Sequence, residues 1–352
     1  MTATDFSTLI NGTVIDANPL NVNFKYYNGI NTFGNGADGS RTVSGNTSDG
    51  KIFKQYTDLT INTGVTLTVD SGSIIFVSGT LTLTGTAAIL VNANTAIAPL
   101  GGQTVNAGTY GGNGGNPGGT LYIFAKNIAG SGSISAVGGT GSIPSGQSGT
   151  SYAYGGQGSS ANAYYVDSII TITSGQGGFG GTTNTAGAGG TASLGTNYTV
   201  INMLPYLMSL RNFTSCSGCG GGQGSKANST NTGSGGGGAG GSFLTLGGNG
   251  GAGRASDSIT IADGGGGGGG SGGFIFIYTL GNTSTWTLAL TGGAGGAATG
   301  GGGGGGGSGG YAIVCADVDT FTYTLTGGTG GTSTNATAGS NGASGTYTFI
   351  TI

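Results

Sequence analysis

The chain contains no histidine and no glutamate. Acid–base and metal chemistry would therefore fall to Asp, Tyr, Lys or Cys. Charge of either sign is scarce, with 11 Asp against 8 Lys and Arg, and charged residues make up 5% of the chain against 35% hydrophobic. That balance lacks the basic stripe of a nucleic-acid-binding surface, so no nucleic-acid partner is expected. It also departs from disordered chains, which combine low hydrophobicity with high charge. With five prolines and no strict G-X-Y period, collagen fits poorly. The three cysteines, the CSGC pair Cys216 and Cys219 and a distant Cys315, are too few for a metal site. Incidental thiols or one structural disulfide are expected, with no metal and no cofactor. No run of 18 apolar residues could span a membrane, and MTATDFSTLINGTVID has neither the basic start nor the apolar core of a secretory signal.

What the chain has in excess is glycine, 87 residues. Two pure runs, Gly264 to Gly270 and Gly300 to Gly307, bracket apolar strand-like segments, and each leads into one: GGFIFIY at Gly272 to Tyr278 and GGYAIVC at Gly309 to Cys315. Phe274 and Tyr311 are 37 residues apart, a regularity that linkers seldom show. Two states are open to such runs. One is a flexible linker, because glycine loses the most backbone freedom on folding. The other is the extended left-handed helix with three residues per turn, in which an eight-glycine run spans roughly 25 Å. Lacking Cβ atoms, such helices can pack side by side and satisfy one another's N–H and C=O groups.

Between Asp58 and Asn92 the pattern differs. Short alternating strands, Leu59 to Ile61, Val65 to Val69, Ile74 to Val77, Leu81 to Leu83 and Ile89 to Val91, recur about every eight residues with glycine corners between them. The expected architecture is all-β: a short parallel β-solenoid over 58–100, followed over 101–352 by a body of packed polyglycine II helices and β-strands. An antiparallel meander is the alternative, but the single-glycine corners lack the Asn-Gly or Asp-Gly pairs of tight hairpins. In the body one unit recurs, at Gly118 to Gly139, Gly272 to Gly293 and Gly309 to Gly328, with a partial copy at Gly345 to Ile352. In TFTYTLT, Thr320 to Thr326, alternation turns Phe321, Tyr323 and Leu325 to one buried face. Two insertions, 143–179 and 196–232, interrupt the body. The first holds Tyr152, Tyr154, Tyr164 and Tyr165 among small polar residues, the composition of binding loops. Packing of these tyrosines over the glycine layer is the rival reading. The second contains VINMLPYLMSLRNF, Val200 to Phe213, either a hydrophobic plug or an oligomer contact.

Ten of the nineteen charges fall in the first 70 residues, which suggests a distinct head over 1–57. Within it, Gly12, Asp16, Ala17, Leu20, Asn21 and Phe24 spell G-x-x-x-D-A-x-x-L-N-x-x-F. That pattern resembles the opening of tailed-phage fibre and virion proteins, and the alternation of strands and glycine tracts resembles phage tail-tip adhesins built around packed polyglycine helices. The resemblance implies that the head, through residues such as Asp16, Asn21 and Phe24, joins other virion proteins. It further implies that variable loops bind a host-surface glycan or outer-surface protein, on a virion released by lysis. A homotrimer is one of the assemblies it leaves open. The strands here are longer than bare glycine-helix arrays need, so a sheet packed against the glycine layer is expected. Rival readings are a head-fibre or decoration protein without a receptor, and an extracellular filament subunit. An enzyme has little support. Asp317 and Asp319, two apart, would share one face if they lay on a strand, whereas a plain turn uses them as polar corner residues. No GxxxxGK[ST] follows any strand.

Overall fold

The computed structural model describes residues 32–92, 112–143, 239–240, 247–248, 251, 265–299 and 301–352. Fourteen strands are found there and no helix. In chain order they are β1 (Arg41–Val43), β2 (Thr47–Ser48), β3 (Phe53–Tyr56), β4 (Leu59–Ile61), β5 (Thr66–Val69), β6 (Ser73–Leu83) and β7 (Ala88–Val91), then β8 (Thr120–Gly130), β9 (Ser133–Ser135), β10 (Phe274–Ser284), β11 (Thr287–Ala289), β12 (Tyr311–Ala316), β13 (Thr322–Thr324) and β14 (Thr346–Thr351).

The strands form two sheets. One runs β1-β4-β6-β8-β10-β12-β14, with β3 also paired to β6, and the other runs β13-β11-β9-β7-β5-β2. Pairing is parallel throughout, which excludes the antiparallel meander. From β4 onward the chain alternates strictly between the sheets, so each passage adds one strand to each. Corners repeat as well. Gly64 and Gly85 both take positive φ, 72° and 58°, at the turns before β5 and β7. These turns stack, with Gly64 N donating to Thr86 Oγ1 at 3.1 Å.

Alternation gives the inner faces to aliphatic side chains. Ile75, Leu81, Ile123, Ile128, Ile275 and Val314 from one sheet meet Leu67, Ile89, Ile134 and Leu288 from the other in one continuous core. Trp286, wholly buried, lies edge-on to Phe321 with ring centroids 6.3 Å apart and donates its indole N–H to the Ala129 carbonyl. The outer face of the larger sheet is aromatic. Phe76, Phe124 and Phe276 form a row at 5.1 and 5.4 Å, and Phe33 stacks on Tyr278 at 5.7 Å.

Two details differ from the sequence expectation. Ile74 to Val77 and Leu81 to Leu83 belong to one strand, β6, because a bulge between Val77 and Thr80 absorbs the extra residue. Asp58 holds that bulge, accepting the Thr80 N–H at 2.9 Å. Pairing also runs across 57/58: β1 pairs with β4 and β3 with β6, and β6 in turn pairs with β8 of the glycine-rich body.

Beyond the strands the two layers continue as glycine tracts. Residues 112–119, 265–273, 301–310 and 339–345 lead into β8, β10, β12 and β14, while 136–142, 290–297 and 325–331 leave β9, β11 and β13. Within the first set neighbours bond in parallel every third residue: Gly112, Gly115 and Gly118 donate to Gly265, Gly268 and Ser271, and Gly266, Gly269 and Gly272 to Gly302, Gly305 and Ser308. Between the sets the bonds are antiparallel with the same period, Gly267, Gly270 and Gly273 donating to Ser142, Gly139 and Ala136. Sheets faced with side chains stack about 10 Å apart. Where the facing positions are glycine, the layers approach until backbone bonds backbone, at 2.8 to 3.0 Å for these three bonds.

Candidate functional site

The residues that the sequence nominates for binding, Tyr152, Tyr154, Tyr164 and Tyr165, lie outside the described residues. So do Asp16, Asn21 and Phe24, the cysteine pair, and both insertions apart from Ile143. The structure describes the framework from which the longest excursion departs. Ser142 ends the tract that runs away from β9, and its carbonyl accepts the Gly267 N–H at 3.0 Å. Gly265, at the start of the tract that returns to β10, accepts from Gly112 at 2.8 Å. The chain therefore leaves and re-enters at the end of the glycine layers farthest from the strands. It also returns in register: Phe274 pairs with Thr120 and Thr287 with Ser133, the same 154-residue offset in both sheets. Of the intervening chain, Gly240 and Gly248 pack back on the layers, donating to Gly269 and Gly306.

A second surface is formed where the last strands of the two sheets meet. Asn282 continues the column of Leu59, Leu81 and Ile128, whose far end is Arg41, and is 5% exposed. Each polar atom of its side chain is used. The amide donates to the Val318 carbonyl and to Thr320 Oγ1, both at 2.9 Å, and its oxygen accepts from Ser284 N and Ser284 Oγ. Its backbone N–H donates to Asp317 Oδ1 at 2.9 Å. Asp317 and Asp319 thus do not lie on a strand, since β12 ends at Ala316; they shape the corner before β13. Asp319 Oδ1 accepts the Tyr323 hydroxyl at 3.0 Å and the Phe321 N–H at 3.3 Å.

Tyr323 in turn stacks on Tyr347 of β14, with centroids 3.8 Å apart and planes at 11°. Burial, and then the bond to Asp319, push the Tyr323 phenol far above its ordinary range, so it remains a donor. Tyr347 is 46% exposed. This corner can bind by ring contact and by hydrogen bonds to a fixed carboxylate. Cys315 next to it is chemically quiet: the thiol is free and wholly buried, and burial pushes its pKa up to about 12.

Charged groups pair at the other end of the sheets. Arg41 bonds both carboxylate oxygens of Asp49 and the Tyr56 hydroxyl, and Lys54 meets Asp38 at 2.9 Å. Among the described residues no three potential ligands gather to hold a metal ion, and no helix is long and apolar enough to cross a membrane. Sequence reasoning missed Asn282, which reads locally as a polar residue in an Asn-Thr-Ser turn. Aligning the unit at Gly118 to Gly139 with the unit at Gly272 to Gly293 sets Asn282 against Ile128, and that mismatch is the signal that would have found it. Compared with known proteins, the chain matches no family model, no curated protein and no solved structure.

Proposed function

We propose that this chain is a virion fibre adhesin: a two-sheet parallel β-solenoid, continued by packed polyglycine II helices, that holds receptor-binding loops at the far end of the glycine layers. The three-residue bonding period is that of a helix with three residues per turn, whose backbone groups point sideways to its neighbours. The observation that carries the functional reading is the excursion between Ser142 and Gly265, which leaves and rejoins the same end of a backbone-bonded array without shifting the register of either sheet. A scaffold that tolerates such an excursion suits surface loops that vary while their base stays fixed. The excursion carries Tyr152, Tyr154, Tyr164 and Tyr165, the best local supply of rigid aromatic contacts. The head, with Asp16, Asn21 and Phe24, is assigned to virion attachment on its resemblance alone.

From Ser71 onward the chain has four cations and five Asp, so recognition depends on aromatic and hydrogen-bond contacts to a glycan or an outer-surface protein. The test is adsorption of the purified chain to host cells. Replacing the four tyrosines with Ala lowers binding about tenfold, near 1.4 kcal/mol, and raising salt from about 50 to about 500 mM leaves parental binding nearly unchanged. Parental adsorption by the quadruple variant overturns the loop assignment in favour of a decoration protein. A steep salt dependence moves the contact to the charged N-terminal part.

A further inference from the structure

The last rung of the two sheets departs from every rung before it. Tyr347 continues a column in which it pairs with Ala312, which pairs with Ile275, which pairs with Leu121. In the facing sheet Tyr323 continues the column of Leu288, Ile134 and Ile89. In these two columns small and aliphatic side chains suffice up to this point, all of them fully buried. At β13 and β14 both columns change to tyrosine, and the two rings lie face to face at 3.8 Å. A hydrophobic cap would need neither hydroxyl. Here one hydroxyl is anchored to Asp319, and the outer ring is left 46% exposed.

We propose that Tyr347, backed by Tyr323 and flanked by Asp319, is a binding platform for a neutral pyranose sugar. The exposed ring offers a flat, rigid apolar surface for the C–H face of a sugar, and its orientation is fixed by the stack behind it. Asp319 supplies acceptor capacity beside the ring: Oδ1 is held by Tyr323 and by the Phe321 amide, which orients Oδ2 as a further acceptor for a sugar hydroxyl. The electrostatics exclude anionic ligands. From Gly301 to Ile352 the chain has no Lys or Arg, and Asp317 and Asp319 are its only charges. A quaternary ammonium group would call for several ring faces around one point, and this corner exposes one ring. The platform stands on its own geometry and does not depend on the adhesin reading.

The experiment is saturation-transfer NMR on the full chain with methyl glycosides of glucose, galactose, mannose and N-acetylglucosamine, and with tetramethylammonium as the cationic probe. At least one glycoside receives saturation from the protein. Tyr347→Ala and Tyr347→Leu lower that transfer at least about fivefold, as expected for a central aromatic contact, while Tyr347→Phe retains most of it. Circular dichroism confirms that each variant is folded, and Tyr347→Leu keeps an apolar cover over Tyr323 in case the Ala variant is not. Absence of transfer to all four glycosides, transfer that persists in both ring-deleting variants, or transfer to tetramethylammonium instead overturns the proposal. Cell adsorption separates it from the adhesin reading: that reading fails if the parent does not adsorb, whatever the glycosides do.

Discussion

At the scale of single residues, the number of glycines in each triplet follows how many sides of a tract are packed. Residues 265–273 and 301–310 are buried at every position and read almost wholly as glycine. Tracts with one open side spend one residue in three on a side chain: GGNGGN at 111–116, GGAGGA at 292–297, GGTGGT at 327–332. At the edge, GSNGAS at 339–344 keeps one glycine per triplet. This triplet grammar was legible in the tracts with an open side and hidden in the pure runs, where the third position is buried too and carries a side chain only at Ser271 and Ser308. A Cβ on Gly304 would collide with the Gly267 carbonyl, and one on Gly267 with the Asn113 carbonyl. Gly304→Ala and Gly267→Ala each cost about 1–3 kcal/mol as overpacked substitutions, read by thermal unfolding. Gly45→Ala, where a Cβ meets nothing within 4 Å, stays within about 0.5 kcal/mol of the parent. Equal melting of all three variants at or above the parental temperature would restore the linker reading. Cys315 makes a second prediction at this scale. Its thiol has an ordinary pKa of 9.0 and is pushed up to about 12 in the fold. Between those values the unfolded thiol gives up its proton and the folded one does not, so stability falls as pH rises through that window. Cys315→Ala has a shallower decline than the parent above pH 9.0, measured by urea unfolding; parallel slopes would show that other groups set the alkaline limit.

At the scale of elements, the 37-residue spacing between Phe274 and Tyr311 turned out to be the lateral register itself, since those two residues are paired. Leu59–Ile61 was likewise legible to the residue. Alternation finds such strands because one face of each is buried. Which strands are neighbours was harder to read, as pairings reach across 154 residues with no local signal in between. The corner between β12 and β13 is the polar turn expected of CADVDT: both carboxylates turn back to cap backbone N–H groups. Asn282 ties that corner to β10. Asn282→Ala leaves the Val318 carbonyl and the Ser284 amide without their partners, at a cost of about 1–3 kcal/mol for buried groups left unpaired. Asn282→Leu restores the aliphatic column but not those bonds, so it recovers only part of the loss. Full recovery by Leu in thermal unfolding would show that volume, rather than bonding, governs the position.

At the scale of the molecule, the sheets begin well before the point at which the charged N-terminal part ends. Sequence charge put the boundary at 57/58, because ten of nineteen charged residues precede Ser71. Of the charged residues from Asp38 to Asp58, Arg41 and Lys54 lie within strands, and they share those strands with the core residues Val43 and Tyr56, each 3% exposed. Surface charge and membership of the sheets are compatible, so composition alone could not locate the boundary. The pairing of β1 with β4, β2 with β5 and β3 with β6 makes 41–56 part of both sheets, and Phe33 stacks on Tyr278 of β10. Two truncations follow from this. Starting the chain at Thr32 preserves every one of those contacts, and its melting temperature stays within about 2 °C of the parent, a change of under about 1 kcal/mol. Starting at Gln55 strips β1 and β2, half of β3 and the core side chains Val43 and Ile52, and costs roughly 3 kcal/mol or more at the usual worth of two buried aliphatic groups. If attachment to the virion resides in the G-x-x-x-D-A-x-x-L-N-x-x-F stretch, the chain that starts at Thr32 is folded yet missing from purified particles. Its incorporation at parental level, judged by immunoblot of gradient-purified virions, would remove Asp16, Asn21 and Phe24 from any attachment role. The longer truncation cannot give that answer, because its absence from particles would follow equally from the damage to the sheets.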